Sequence, residues 1–154
     1  MKGLTVFGFI MVSLINSAWA DVDAKSLCRE TALKYAHYAD TGQRGKFGAL
    51  FTKDGTLVTT SGSRKPAQEI PDAEHPARTT RHVATNHLVR DEDSQLTGTS
   101  YFTFYFSPKA QDQQEALPIT GQPAAVGVYH DKYAIENGQC KFTERVAKVT
   151  FAGE

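Results

Sequence analysis

The chain has no surplus of charge of either sign. Seventeen Lys and Arg stand against seventeen Asp and Glu, for a formal net charge of zero. A mixed, near-neutral surface lacks the electrostatic footprint of a chain that binds a phosphate backbone, so nucleic acid is not an expected partner. Cysteine is scarce too, with Cys28 and Cys140 the only two. Neither has metal-ligand spacing or a resolving cysteine close by, which argues against both a metal centre and a thiol enzyme. The five histidines, His37, His75, His82, His87 and His130, show no ligand spacing. Strand alternation would send His82 and His87 to opposite faces, so neither metal nor cofactor is expected. After the first residues no apolar run is long enough for a membrane span.

What is present begins with a leader. "MKGLTVFGFIMVSLINSAWA" has Lys2 near its start, an apolar run from Leu4 to Ile15, and a small-x-small ending at Ala18-Trp19-Ala20. This is the layout of a secretory signal peptide cut after Ala20, which implies a periplasmic or secreted protein. Asp21 at the cut, rather than cysteine, argues against a lipid anchor. Lys2 is the only charged residue removed, so the mature chain stays close to neutral. Residues 21–154 fit one domain. In an oxidising compartment Cys28 and Cys140 either pair across a long loop or remain two separate thiols.

From Asp23 to Ala39 the pattern is helical, with a stripe of Leu27, Thr31, Ala32, Tyr35, Ala36 and Ala39. Asp23 is placed to cap its start and Asp40-Thr41-Gly42 to end it. A weaker helix, with Gly45 and Gly48 inside it, is expected from about Arg44 to Leu50. Lys53-Asp54-Gly55 reads as a turn before the short strand "TLVTTS". Residues 62–79 form a loop, with one short helical turn around Pro66 to Ile70. Four strand runs follow, at Arg81 to Val89, Leu96 to Ser107, Ala124 to Glu136 and Lys141 to Phe151. The stretch Pro108 to Pro123 is a long polar connection. Helices first and a strand meander afterwards is an α+β layout. The second run carries Tyr101 and Tyr105 on one face, and Phe102, Phe104 and Phe106 on the other. Helices can cover only one of these faces. Either a second subunit covers the outer face, giving a homodimer, or the strand curls round its own core.

Candidate chemistry gathers in "TRHVATNHLV", Thr80 to Val89. Alternation puts His82, Ala84, Asn86 and Leu88 on one side. His82 is either a core-edge histidine or one half of a proton-transfer pair with a carboxylate. Asp40 offers that carboxylate from a helix C-terminus, where the macrodipole disfavours a negative charge. Tyr129 and Asp131 share a face of the third run, with His130 opposite. Arg145 either neutralises a ligand at the base of a cavity or forms an internal salt bridge with Asp131.

The stretches "YAHYADTG…FGALFTKDG", "TRHVATNHLV", "LTGTSYFTFYF" and "GVYHDKYAIENGQCKFTERVAKV" resemble the SnoaL-like domain. That domain is a branch of the cone-shaped α+β superfamily that includes scytalone dehydratase, ketosteroid isomerase and nuclear transport factor two. The resemblance covers nearly all of residues 21–154. It implies three N-terminal helices packed into a strongly bent, mainly antiparallel sheet enclosing a cavity, and homodimers through the outer sheet face. Dehydratase-like members carry a tyrosine, an aspartate five residues later and a histidine on the strand that opens the sheet. Tyr35, Asp40 and His82 match those places, and Asn86 matches the "TN" feature. Gln43 departs from the acidic residue common at its position. The implied activity is a cofactor-independent dehydratase or isomerase acting on a small apolar carbonyl compound. His82, Asp40 and Tyr35 would be catalytic, with Asn86, Tyr129 and Arg145 as ligand contacts. The same fold also hosts carriers of small apolar or aromatic ligands and scaffolds with filled cavities.

Overall fold

The structure, a computed structural model, describes residues 12–69, 78–108, 116 and 122–153. Residues 1–11 of the expected leader, His75, and most of the Pro108 to Pro123 connection lie outside the described residues. Helix α1 covers Val12–Asp40 in one piece. Asp23 therefore lies inside the helix rather than capping it. No Gly or Pro interrupts the sequence from Val12 to Asp40, so nothing local stops the backbone continuing upstream. Helix α2 is short, Arg44–Gly48. Its two glycines each weaken it by about 1 kcal/mol relative to alanine, and packing holds it. The ring of Phe47 is buried 4.6 Å from that of Tyr35.

Six strands follow: β1 (Phe51–Val58), β2 (Arg64–Pro66), β3 (Arg78–Glu92), β4 (Gln95–Pro108), β5 (Ala125–Glu136) and β6 (Gln139–Ala152), with a 3₁₀ turn at Ala67–Glu69 after β2. Lys53-Asp54-Gly55 is part of β1 rather than a turn. The pairing of β1 with β6 slips between Phe51 and Thr56, and this irregularity absorbs the polar trio. Gly55 is needed there, because a Cβ would lie 2.8 Å from the Phe142 carbonyl oxygen.

The strands make one sheet in the order β2-β1-β6-β5-β4-β3. It is mixed, since β1 runs parallel to β6 while the other neighbours are antiparallel. The expectation of a cone is corrected here. β2 and β3 are free edges, and the sheet is neither strongly curled nor closed round a cavity. In place of three N-terminal helices, the described residues hold α1, the five-residue α2 and the 3₁₀ turn.

Cross-strand register identifies the face turned toward α1, because directly paired residues share a face. His82 pairs with Phe104 and Phe104 with Ala125. Ser100 pairs with Tyr129, and Asp131 with both Gly98 and Arg145. Phe102, Tyr129, Tyr133 and Phe142 from this face pack with Tyr35, Phe47 and Phe51 as the core. Cys28 of α1 is joined to Cys140 at the start of β6 by a disulfide. The Thr31 hydroxyl donates to the Cys140 carbonyl at 2.8 Å, a second tie at the same point.

One local irregularity overturns the alternation argument. Between Thr85 and Leu88 the β3–β4 register slips, so Asn86 and His87 together oppose Ser100. Asn86 has φ 54°, in the left-handed region that asparagine tolerates better than most residues. This is a β-bulge. Downstream of it parity reverses. Val89 pairs with Gly98 on the inner face, and His87, two residues before Val89, joins His82 there. The two histidines therefore share a face, and Leu88 turns outward, 42% exposed.

Candidate acid–base site

The last turn of α1 crosses the start of β3, and there Asp40 meets His82. The imidazole Nδ1 lies 2.6 Å from Asp40 Oδ1. The His82 backbone N–H donates to Oδ2 at 2.7 Å, and the Thr80 hydroxyl donates to Oδ1 at 3.0 Å. Alternation explains the set, since Thr80 and His82 point the same way and bracket the carboxylate. Both partners are mostly buried, with side-chain exposures of 17% for His82 and 10% for Asp40. Burial pushes the Asp40 carboxyl up, but the bonds from the His82 ring and backbone, helped by Thr80, outweigh it. Together they hold the carboxyl below the usual carboxylate range. A carboxylate only accepts, so Nδ1 carries a proton, and in the neutral form of the ring the lone pair lies on Nε2. The Phe104 ring, with its centroid 4.7 Å away, limits how the imidazole can turn.

A second polar centre lies deeper. Arg145, 1% exposed, donates through Nε and Nη2 to the two oxygens of Asp131, both at 2.8 Å. Tyr133 donates its hydroxyl to Asp131 at 2.9 Å. The guanidinium lies 4.2 Å from the ring centroids of Tyr35 and Tyr129 and 4.3 Å from that of Phe142. Arg145 thus forms the internal salt bridge inside a box of aromatic faces. Tyr129 packs against this deeper centre. Burial raises its phenol well above the ordinary value, and the charges of Asp131 and Asp40 both add to the rise against the pull of Arg145.

The structure therefore brings Asp40 and His82 together, and separately Tyr35, Tyr129 and Arg145. Asn86 stands apart as the exposed residue of the bulge. Thr80, Phe104, His87 and Ser100 are not among the site residues expected from the sequence. Alternation from His82 would have found Thr80, while the bulge hid His87. A surface pocket of about 250 Å³ lies elsewhere, lined by Leu27, Thr31, Lys34, Tyr38, Leu50 and Cys140 among others. It includes neither Asp40 nor His82. Among the described residues no cluster of three or more His, Cys, Asp or Glu is placed to hold a metal. No described helix is long and apolar enough to cross a membrane.

One long helix laid on a mixed sheet, with a largely buried imidazole–carboxylate pair between them, defines an α+β domain whose polar pair is consistent with acid–base chemistry. The SnoaL-like domain family matches residues 20–146, and the chain belongs to that family. Solved structures agree on the fold. A protein from Novosphingobium aromaticivorans, provisionally assigned as a scytalone dehydratase, is 14% identical with a TM-score of 0.62, over 90% of each chain. A hexachlorocyclohexane dehydrochlorinase, LinA type 2, is 13% identical with a TM-score of 0.66, over 86% of this chain and 91% of that one. Kfla4162 from Kribbella flavida is 15% identical with a TM-score of 0.68, over 87% and 95%. A sequence search of the curated proteins finds no match.

Proposed function

We propose that the protein is a cofactor-independent dehydratase or isomerase of small apolar carbonyl compounds. The carrying observation is the 2.6 Å contact between His82 Nδ1 and Asp40 Oδ1 on the face turned toward α1. Nε2 of His82 takes a proton from the carbon beside the carbonyl, and Asp40 stabilises the imidazolium that results. In a dehydration, the electron pair left on carbon forms the new double bond. The C–O bond at the next carbon breaks, and the departing oxygen takes the proton back from His82 as water. In an isomerisation the same proton returns to a different carbon. Tyr35 and Tyr129, whose rings flank the Arg145 guanidinium, would sit against the ligand's apolar body. The family relation to a dehydratase fold and to a dehydrochlorinase fold supports a reaction that starts with proton removal from carbon.

Deuterium exchange tests this without knowing the natural substrate. In D₂O the wild-type protein is expected to exchange the α-protons of 1-tetralone, followed by NMR, and His82→Ala to lose that activity. Equal exchange by both proteins would sink the reading.

The aromatic box round Arg145 favours a second reading, a carrier of small apolar or aromatic molecules. A carrier would lose affinity, not turnover, when His82 is replaced. The cleaved leader and export belong to the same proposal, and the Cys28–Cys140 disulfide supports them, since such bonds persist in oxidising compartments. So does a homodimer through the outer sheet face, where Val83, Tyr101 and Phe151 are 48%, 53% and 68% exposed.

A further inference from the structure

Three donors from β3 meet the Asp40 carboxylate, and they divide unevenly between its oxygens. The His82 backbone N–H takes Oδ2 at 2.7 Å, while the Thr80 hydroxyl at 3.0 Å and His82 Nδ1 at 2.6 Å share Oδ1. Rotation about the bond to a carboxylate is soft, so without such contacts the two oxygens would be free to trade places. The pleat sets residues 80 and 82 on one face, and a β-branched threonine has few rotamers, so the hydroxyl reaches Oδ1 already aimed. A carboxylate oxygen only accepts, so Thr80 is the donor.

Sharing one oxygen has an electrostatic consequence. A donor on Oδ1 stabilises its negative charge, and the Thr80 bond is one of the contacts that hold the carboxyl below its ordinary value against burial. The same bond reduces the charge that Oδ1 offers to the imidazolium formed when His82 takes a proton. The other groups near the pair keep their charge state near neutral pH. Phe104 from β4 and Ala125, its neighbour on β5, are uncharged. The Tyr129 phenol of β5 feels Asp40, but burial keeps it protonated. Arg81, next along β3, turns its guanidinium to the Thr80 carbonyl at 2.7 Å and stays charged.

We propose that Thr80 is a positioning residue of the acid–base pair. Its hydroxyl fixes which oxygen of Asp40 meets the ring, and it limits how tightly that oxygen holds the ring once it is protonated. A base held too tightly as imidazolium gives its proton back slowly, so a shared oxygen favours turnover. The role rests on the acid–base reading of His82 and Asp40 and adds Thr80 to it.

NMR titration of the His82 ring reads this without a substrate. Thr80→Val keeps the branched shape but removes the donor, so the midpoint should rise by roughly half a pH unit relative to wild type. Thr80→Ser keeps the hydroxyl and should restore the wild-type midpoint. Added to Asp40→Asn, Thr80→Val should move it no further, because its effect passes through the carboxylate. In D₂O exchange of 1-tetralone the neutral ring is the base, so activity rises with pH through that midpoint. Thr80→Val should then lose about threefold on the acid limb and little on the plateau. Poor folding, by contrast, costs the same fraction at every pH. An equal or lower midpoint in Thr80→Val, Thr80→Ser behaving like Thr80→Val, or a shift that persists beside Asp40→Asn would each overturn the role. If the wild-type protein exchanges no α-protons, the proposed function fails while the midpoints still decide what Thr80 does.

Discussion

Asp40–His82 and Asp131–Arg145 each set a carboxylate against a nitrogen group on the same sheet face, yet the two partners differ in chemistry. Asp131 is met by a guanidinium on both oxygens and by a tyrosine hydroxyl, with both ionic partners 1% exposed. That pair has no proton to move, because arginine does not release one near neutral pH. Asp40 is met by an imidazole, a backbone N–H and a threonine hydroxyl, at the edge strand and with some solvent access. Its partner can give and take a proton. On the proposed reading, the identity of the nitrogen partner, rather than burial alone, decides whether proton transfer is available.

The comparison can be broken first at Arg145. Arg145→Ala leaves Asp131 charged in the interior and should lower folding stability by about 3–5 kcal/mol in chemical denaturation. Arg145→Met with Asp131→Leu should recover most of that loss. His82→Ala, in contrast, should cost less, about 1.5–3 kcal/mol for the lost bond to the carboxylate, while reducing α-proton exchange by roughly 10²–10⁴-fold. If His82→Ala proves as destabilising as Arg145→Ala, the division of roles is wrong. Asp40→Asn should slow exchange by roughly 10²-fold, because an amide no longer enforces the proton on Nδ1. It should also flatten the acid limb of the stability curve. Asp40 is held below its ordinary 3.8 when folded, so its contribution is complete well above that value. The contribution fades as pH falls through 3.8 and is gone below the folded value. Thr80→Val should be the mildest change, about 1 kcal/mol, read as a small shift in the denaturation midpoint.

Much of this organisation was legible in the chain. Alternation gave the long strands, and it put Tyr129 and Asp131 on one face with His130 opposite, as the burial shows. It also left a salt bridge to Asp131 as one of two places for Arg145. What it missed arises from long-range or single-residue events. The parallel pairing of β1 with β6 joins segments some ninety residues apart and leaves no local signature. Lys53-Asp54-Gly55 has turn composition, but the β1–β6 irregularity and the backbone of Phe142 keep it in the strand. The bulge at Asn86 inserts one residue and inverts every inward–outward assignment after it, which is why His87 was sent to the wrong face. The openness of the sheet is a property of all six strands together, and local sequence does not encode it.

The bond between Cys28 and Cys140 spans 112 positions of a 154-residue chain. Strands β1 to β5 therefore lie wholly within one covalent ring, while β6 runs out of it after Cys140. A protease that cuts once anywhere inside that ring opens it without releasing a fragment. The nicked protein would migrate as a single species on a non-reducing gel and separate into two bands only after dithiothreitol.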